Sequence, residues 1–212
     1  MFFNKKLNYL KNIKRLRIPE DRDLKKGLRL NRNEKVDNWP KNFLVNIFKK
    51  KPEYFLSVYP NLIPFYKKLA NFLNINSKNI LLSSGIDSAI KDLFEIITNH
   101  NDKVAVLYPT YAMYEVYSNI YKVNLIKIKL NKNFELNKGQ IKKVLNNNPK
   151  ILFLPNPNQP VEANLSLKFL EYIAQESIKK KCFFVVDEAY HYFGSPSAIK
   201  LVKKYKNVIV LR

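Results

Sequence analysis

Short, almost unbroken apolar runs separated by helix-period stretches constrain this chain more than any other feature. The runs are Ile80-Leu81-Leu82, Val104-Ala105-Val106-Leu107, Val123 to Ile128, Ile151-Leu152-Phe153-Leu154, Phe183-Phe184-Val185-Val186 and Val208 to Leu211. Between them the spacing predicts helices from about Asp87 to Thr98, Tyr111 to Tyr121, Lys138 to Leu145, Leu167 to Lys179 and Ser197 to Tyr205. A strand with one solvated face alternates apolar and polar residues, whereas one buried on both faces does not. The expected fold class is therefore α/β, a mostly parallel sheet with helices on both faces.

Upstream of the runs, Leu7, Leu10, Ile13 and Leu16 fit a short amphipathic helix that stops at Pro19-Glu20-Asp21. Residues 1–39 read as an N-terminal arm and residues 40–212 as one large domain. Within that domain Pro40 to Phe48 and Ile63 to Leu73 read as helices, with a link at Tyr59-Pro60. The last apolar run reaches Leu211 with no helix to close it, so the domain reads as incomplete at its C-terminus.

Composition removes several function classes. One cysteine and two histidines in 212 residues exclude a disulfide framework and a self-contained zinc cluster. No apolar run approaches the ~20 residues that span a bilayer, and Met1-Phe2-Phe3 leads straight into Lys5-Lys6 without a secretory apolar region. A soluble, cytoplasmic protein without a membrane partner is expected. The net charge of +21 invites a nucleic-acid reading. The lysines, however, are spread along the whole chain, and Lys49-Lys50-Lys51 and Lys179-Lys180-Lys181 follow helical stretches whose C-termini favour cations. No dedicated nucleic-acid surface is expected.

In open α/β sheets ligands bind beyond the carboxyl ends of the strands. The residues there are Ser83-Ser84-Gly85-Ile86-Asp87, Pro109-Thr110-Tyr111, Asn156-Pro157-Asn158-Gln159-Pro160, Asp187-Glu188-Ala189-Tyr190 and Arg212. The first is a small polar turn opening a helix, suited to a phosphate or simply an N-cap formed by Asp87. Tyr111 is either core packing or a plate for a flat ring. Asp187 and Glu188 occupy the place of a magnesium-holding acid, yet no GxxxxGK[ST] loop and no GxGxxG string is present. They can equally cap the next segment. Pyridoxal phosphate unites these loops: a phosphate cradle, an aromatic plate, a carboxylate beside the pyridine nitrogen and donors at the phenolic oxygen.

With these strings in this order, the sequence resembles the fold-type I PLP-dependent aminotransferases, specifically the histidinol-phosphate aminotransferase-like group. The matching elements run from Leu30-Asn31-Arg32-Asn33-Glu34 through Tyr59-Pro60, Gly85-Ile86-Asp87, Pro109 to Tyr114, Asn156 to Pro160 and Val186 to Tyr190, to Asn207 to Arg212. The resemblance implies that Gly85, Ile86 and Asp87 hold the phosphate of pyridoxal 5'-phosphate and that Tyr111 stacks on its ring. It implies that Asp187 pairs with the ring nitrogen, Tyr190 and Gln159 contact the phenolic oxygen, and Asn33 lies near the substrate. Tyr59 would reach the cofactor phosphate of a neighbouring subunit, so a homodimer with shared sites is expected, acting on amino-acid and keto-acid substrates.

The chain departs from the group at Gln159, where an asparagine is usual, at Glu162, where a glycine is usual, and at Ile86, which replaces a small residue. Glutamine keeps the amide donor on a longer stem. By the same resemblance the Schiff-base lysine lies a few residues beyond Leu211-Arg212 in a Ser-Lys element, so no catalytic lysine is expected within residues 1–212. Lys200, Lys203 and Lys204 read as a solvated helix face. The chain is expected to be the N-terminal part of the enzyme and inactive alone. The alternative from another class is a non-catalytic basic binding protein that reuses the fold.

Overall fold

The computed structural model describes residues 33, 35, 37–162 and 164–212. The helix expected over residues 7–16, and most of the arm, lies outside the described residues. The described part divides into two compact units, one ending at Ser77 and one spanning Lys78–Arg212.

The first unit carries α1 (Phe43–Lys49) and α2 (Ile63–Leu73). Helix α1 begins three residues later than the Pro40 start expected. Asn42 sits at φ 63° and cannot continue a right-handed helix, so residues 40–42 form a turn closed by the Phe43 N–H on the Pro40 carbonyl at 2.9 Å. Helix α2 has the expected bounds, with Pro64 in its first turn and Asn74 closing it at φ 52°.

The second unit is the sheet. In chain order it runs α3 (Ile86–Ile97), β1 (Lys103–Tyr108), α4 (Met113–Ile120), β2 (Asn124–Lys129), α5 (Lys138–Leu145), β3 (Ile151–Pro155), α6 (Leu167–Lys179), β4 (Phe183–Asp187), α7 (Ile199–Val202) and β5 (Val208–Leu211). All five strands are parallel, in the order β2-β1-β3-β4-β5. Burial tracks position in the sheet. Every residue of the central β3 is buried, whereas the edge strand β2 exposes Asn124, Lys127 and Lys129. Charges on an edge strand discourage pairing with another chain.

Each face of the sheet has its own core. Ala105, Leu107, Leu152, Leu154, Phe184 and Val186 point to one side, where α5, α6 and α7 add Ile141, Leu170, Ile173 and Leu201. The alternate residues Val104, Val106, Ile151, Phe153 and Val185 point to the other, where α3 and α4 add Ile90, Phe94 and Tyr114. This two-sided burial is what the unbroken apolar runs encode. The helix starts are defined by caps: Asn137 and Gln140 form a reciprocal capping box on α5, and Ser166 accepts from the Phe169 N–H at α6.

Two further expectations need correction. Ile80-Leu81-Leu82 is not a strand and lies outside the five-stranded sheet. Apolar, β-branched composition becomes a strand only where a neighbouring ladder receives it, and none of the five described strands pairs with it. Helix α7 covers Ile199–Val202 rather than Ser197 to Tyr205. Ser197 and Ala198 are engaged by the Glu188 carboxylate, which places the helix start beyond them.

Phe153 anchors the α3–α4 face, fully buried, with its ring 5.5 Å from Phe94 and 4.9 Å from Tyr114. Phe153→Ala should destabilise the chain by about 3–5 kcal/mol in equilibrium denaturant unfolding. A loss below ~1 kcal/mol would contradict a closely packed core at this position.

Candidate active site

Because the strands are parallel, their carboxyl ends share one edge, and the loops leaving β1, β3 and β4 meet there. Strand order reverses between β1 and β3, whose connections leave in opposite directions and open a crevice. Asn158 crosses it: its Nδ2 donates to the Pro109 carbonyl at 3.0 Å and to the Val161 carbonyl at 2.8 Å. Asn156, fully buried, donates to the Leu165 and Pro196 carbonyls and accepts from the Leu165 N–H at 2.7 Å. These amides give the loop after β3 one shape without regular secondary structure.

Helix α3 supplies a polar N-terminus. Gly85 holds φ 84° and ψ 172°, a region that glycine alone enters without cost. No side chain caps the helix, and the first intrahelical donor is the Ala89 N–H, to the Gly85 carbonyl at 3.2 Å. The amides of Ile86, Asp87 and Ser88 precede it and are therefore among the free donors of a helix start. Asp87 lies in the first turn and does not cap the helix, which corrects the N-cap alternative; there its charge complements the helix dipole. Its Oδ1 accepts from the Tyr111 hydroxyl at 3.4 Å.

From Tyr111 the connection runs inward. The Tyr111 ring stands edge-on to Tyr114, with centroids 6.2 Å apart. Tyr114 is fully buried and donates to Asp187 Oδ2 at 2.6 Å. Asp187, the last residue of β4, is 5% exposed. Its Oδ1 accepts from the Ala189 N–H at 3.0 Å, and its carbonyl accepts from the Asn156 N–H at 2.8 Å. Asp87, Tyr111, Tyr114 and Asp187 thus link the α3 N-terminus to the ends of β1 and β4.

Burial lifts the Asp187 carboxyl above the usual carboxylate range, against the opposing pull of Tyr114 and the Ala189 amide, while the neighbouring Glu188 charge adds to the lift. Burial, and then the Asp187 charge, hold the Tyr114 phenol well above its ordinary value, so it remains a donor. Cys182 is a core residue whose thiol burial pushes up to about 12, so it offers no thiolate at neutral pH.

The other candidates are less enclosed. Gln159 is exposed beside the buried Asn158. Tyr190 is half-buried in the turn after β4, with its ring 6.1 Å from that of Phe193. Tyr59 and Asn33 belong to the other compact unit, where Tyr59 is fully exposed and Asn33 sits at φ 55°. Tyr114, Asn156 and Asn158 are the residues whose part in the site the motifs did not reveal. Helix α4 starts at Met113 rather than at the expected Tyr111, so Tyr111 precedes it and Tyr114 lies in its first turn, and nothing in the sequence joins Tyr114 to Asp187. Among the described residues no group of His, Cys, Asp and Glu could hold a metal, and no helix is long and apolar enough to cross a membrane. The donor set suits instead a flat heteroaromatic ring bearing a phosphate: amides for the anion, an aromatic face and a buried acid.

A parallel sheet with this crevice and this set of loops defines an α/β domain that gathers its polar residues at the carboxyl edge of the strands. The sequence profile described as Aminotransferase class I and II matches residues 29–212, and the chain belongs to that family. Among curated proteins it is similar to the histidinol-phosphate aminotransferase of Clostridium novyi (strain NT), 29% identical over 211 residues, covering 96% of this chain and 57% of that protein. Among solved structures it resembles the histidinol-phosphate aminotransferase from Clostridium acetobutylicum, with TM-score 0.67 and 24% identity, covering 82% of this chain and 51% of that one. It also resembles the PLP-bound C-S lyase from Staphylococcus hominis, with TM-score 0.68 and 18% identity, covering 90% and 56%. The chain spans about half the length of the relatives it matches.

Two outcomes follow from the Asp187–Tyr114 pair. Tyr114→Phe removes a hydrogen bond to a buried charge and should cost about 1.5–3 kcal/mol near neutral pH, measured by denaturant unfolding. Folding raises the Asp187 pKa, so the folded chain holds that proton more tightly than the unfolded one. The associated stability is complete below the unfolded value of about 4 and is lost as pH rises through the folded value. Asp187→Asn should therefore raise the melting temperature of the cofactor-free chain at pH 7. The gain should close towards pH 4, and an equal gain at both pH values would contradict a charged, buried Asp187.

Proposed function

We propose that this chain is the cofactor-binding part of a PLP-dependent aminotransferase of the histidinol-phosphate aminotransferase-like kind. The enzyme would move an amino group between an amino acid and a keto acceptor. The observation that carries this reading is Asp187, buried at the end of β4 with both oxygens already oriented by Tyr114 and the Ala189 amide. Among the described residues no ion pair is formed by Asp187, so its carboxylate is available to pair with a cation brought by a ligand. The family match and the PLP-bound structural relative support the same ligand.

Bound pyridoxal phosphate would supply an electron sink for the substrate α-carbon, stronger when its ring nitrogen is protonated. Asp187 would stabilise that proton on the ring nitrogen by opposite charge. The amides of Gly85, Ile86 and Asp87 would hold the phosphate at the dipole-positive end of α3. Tyr111 would serve as the aromatic plate for the ring, and Tyr190 would donate to the phenolic oxygen. Gln159 would offer its amide to the same oxygen. Tyr114 holds the Asp187 carboxylate in place and excludes water behind it. By the resemblance, Asn33 would serve the substrate and Tyr59 the cofactor phosphate of a second copy, in a homodimer with shared sites, and a cytoplasmic location is part of the same reading. A non-catalytic basic binder would account for the charge of +21 but gives no reason for the buried Asp187–Tyr114 pair.

Titration of the cofactor-free chain with pyridoxal 5'-phosphate, followed by ligand absorbance and protein fluorescence, tests the assignment. Asp187→Ala should weaken binding by about tenfold or more, roughly the value of one buried charge pairing. Binding unchanged in that variant would refute the role of Asp187. Conversion of the amino donor to its keto acid that depends on a keto acceptor and releases no ammonia, measured on the full-length enzyme, supports transamination; release of ammonia, pyruvate and a thiol from a cysteine conjugate without an acceptor would point to a lyase instead.

A further inference from the structure

Beside Asp187 lies a second buried carboxylate that the proposed chemistry does not use. The Glu188 side chain is fully buried, and its donors converge from separate segments. Its Oε1 accepts from the Ala198 N–H. Its Oε2 accepts from the Ser197 hydroxyl at 3.0 Å and from Arg212 Nε and Nη2 at 3.2 and 2.7 Å. Arg212 Nη2 also donates to Ser197 Oγ at 2.9 Å, and the guanidinium carbon lies 6.0 Å from the centre of the Tyr192 ring. His191 Nδ1 lies 3.9 Å from Glu188 Oε2, too far for a hydrogen bond.

The main chain of the same residue is fixed as well. The Glu188 N–H donates to the Leu211 carbonyl at 2.8 Å, and its carbonyl accepts from the His191 N–H at 3.0 Å. Leu211 is the register partner of Asp187. A single residue therefore ties the exits of β4 and β5 and the start of α7, and it sits between Asp187 and Tyr190. A buried ion pair is a poor way to gain stability, since apolar residues of the same volume usually serve as well. What it does provide is a fixed geometry with saturated hydrogen bonds.

We propose that Glu188 is a positioning residue for cofactor binding: its ion pair with Arg212 fixes the turn after β4 and so sets the direction in which Asp187 and Tyr190 present their side chains. This rests on the pyridoxal phosphate reading given above. Asp187 is thereby held on two sides, by Tyr114 at its carboxylate and by Glu188 through the main chain. Removing the clamp leaves Asp187 present but displaced, which weakens the cofactor without removing any group that touches it.

The test uses the full chain as wild type, Glu188→Gln, Arg212→Lys and Ser197→Ala. Three quantities are read for each: the melting temperature, the dissociation constant for pyridoxal 5'-phosphate, and the 15N shift of bound cofactor labelled at its ring nitrogen. Glu188→Gln should weaken binding about tenfold, the effect of losing a charge-assisted contact. Arg212→Lys, which keeps the charge and loses the fork, and Ser197→Ala should each weaken it about threefold. In all of them the 15N shift should move towards that of an unprotonated pyridine. A purely structural clamp would lower the melting temperature while leaving the dissociation constant within about twofold and the 15N shift unchanged, and that result overturns the proposal. Should Glu188→Gln fail to fold, the two milder variants decide on the same readings. Wild type that fails to bind the cofactor sinks the aminotransferase reading at the first titration, and the clamp with it.

Discussion

Parallel pairing is the constraint on which the rest of this molecule depends. Two parallel strands cannot be joined by a tight turn, so the chain must return across a face of the sheet before the next strand starts. Those returns are the helices, which bury both faces and create the two apolar layers around β3. The same rule sends every strand in one direction, so all the outgoing loops emerge at one edge. A site can then be assembled from residues as far apart in sequence as Asp87 and Asp187 without any long-range design beyond the sheet itself.

Polar groups at that edge are expensive to bury, and each is answered by a specific donor. Asp187 takes the Tyr114 hydroxyl and an amide; Glu188 takes an amide, a hydroxyl and a guanidinium. Asp187 ends β4 and Glu188 is the first residue beyond it, and the two carboxylates reach different partners. The exposed ion pairs, such as Lys91 with Glu95 or Lys204 with Glu171, are of another kind, solvated and worth little to stability. Among the described residues, such solvated lysines contribute positive charge without taking part in the site.

The fold alone does not choose the reaction. Similar coordinates serve an aminotransferase and a C-S lyase, and function is carried by residues placed on the fold. What sets this chain apart at its own edge is Gln159, exposed where the resemblance expects a shorter amide, beside Asn158, which is committed to the loop. The longer stem lets the amide reach further from the same backbone position.

The sequence by itself determined the fold class and most of the elements. Unbroken runs such as Ile151 to Leu154 announce two-sided burial, and helices α2, α5 and α6 keep the bounds their periodicity gives. It also pointed to Asp187 and Tyr111, because strand ends are local features and the turns after them are short. Only the tertiary structure decided which apolar runs join the sheet, since Ile80 to Leu82 carries the composition of a strand but depends on a neighbour to become one. It alone brought Tyr114 to Asp187 and Arg212 to Glu188, pairings between residues distant in sequence whose energies arise from shared burial. Local propensity has no term for burial shared between distant segments, and such contacts turn a legible fold into a particular site.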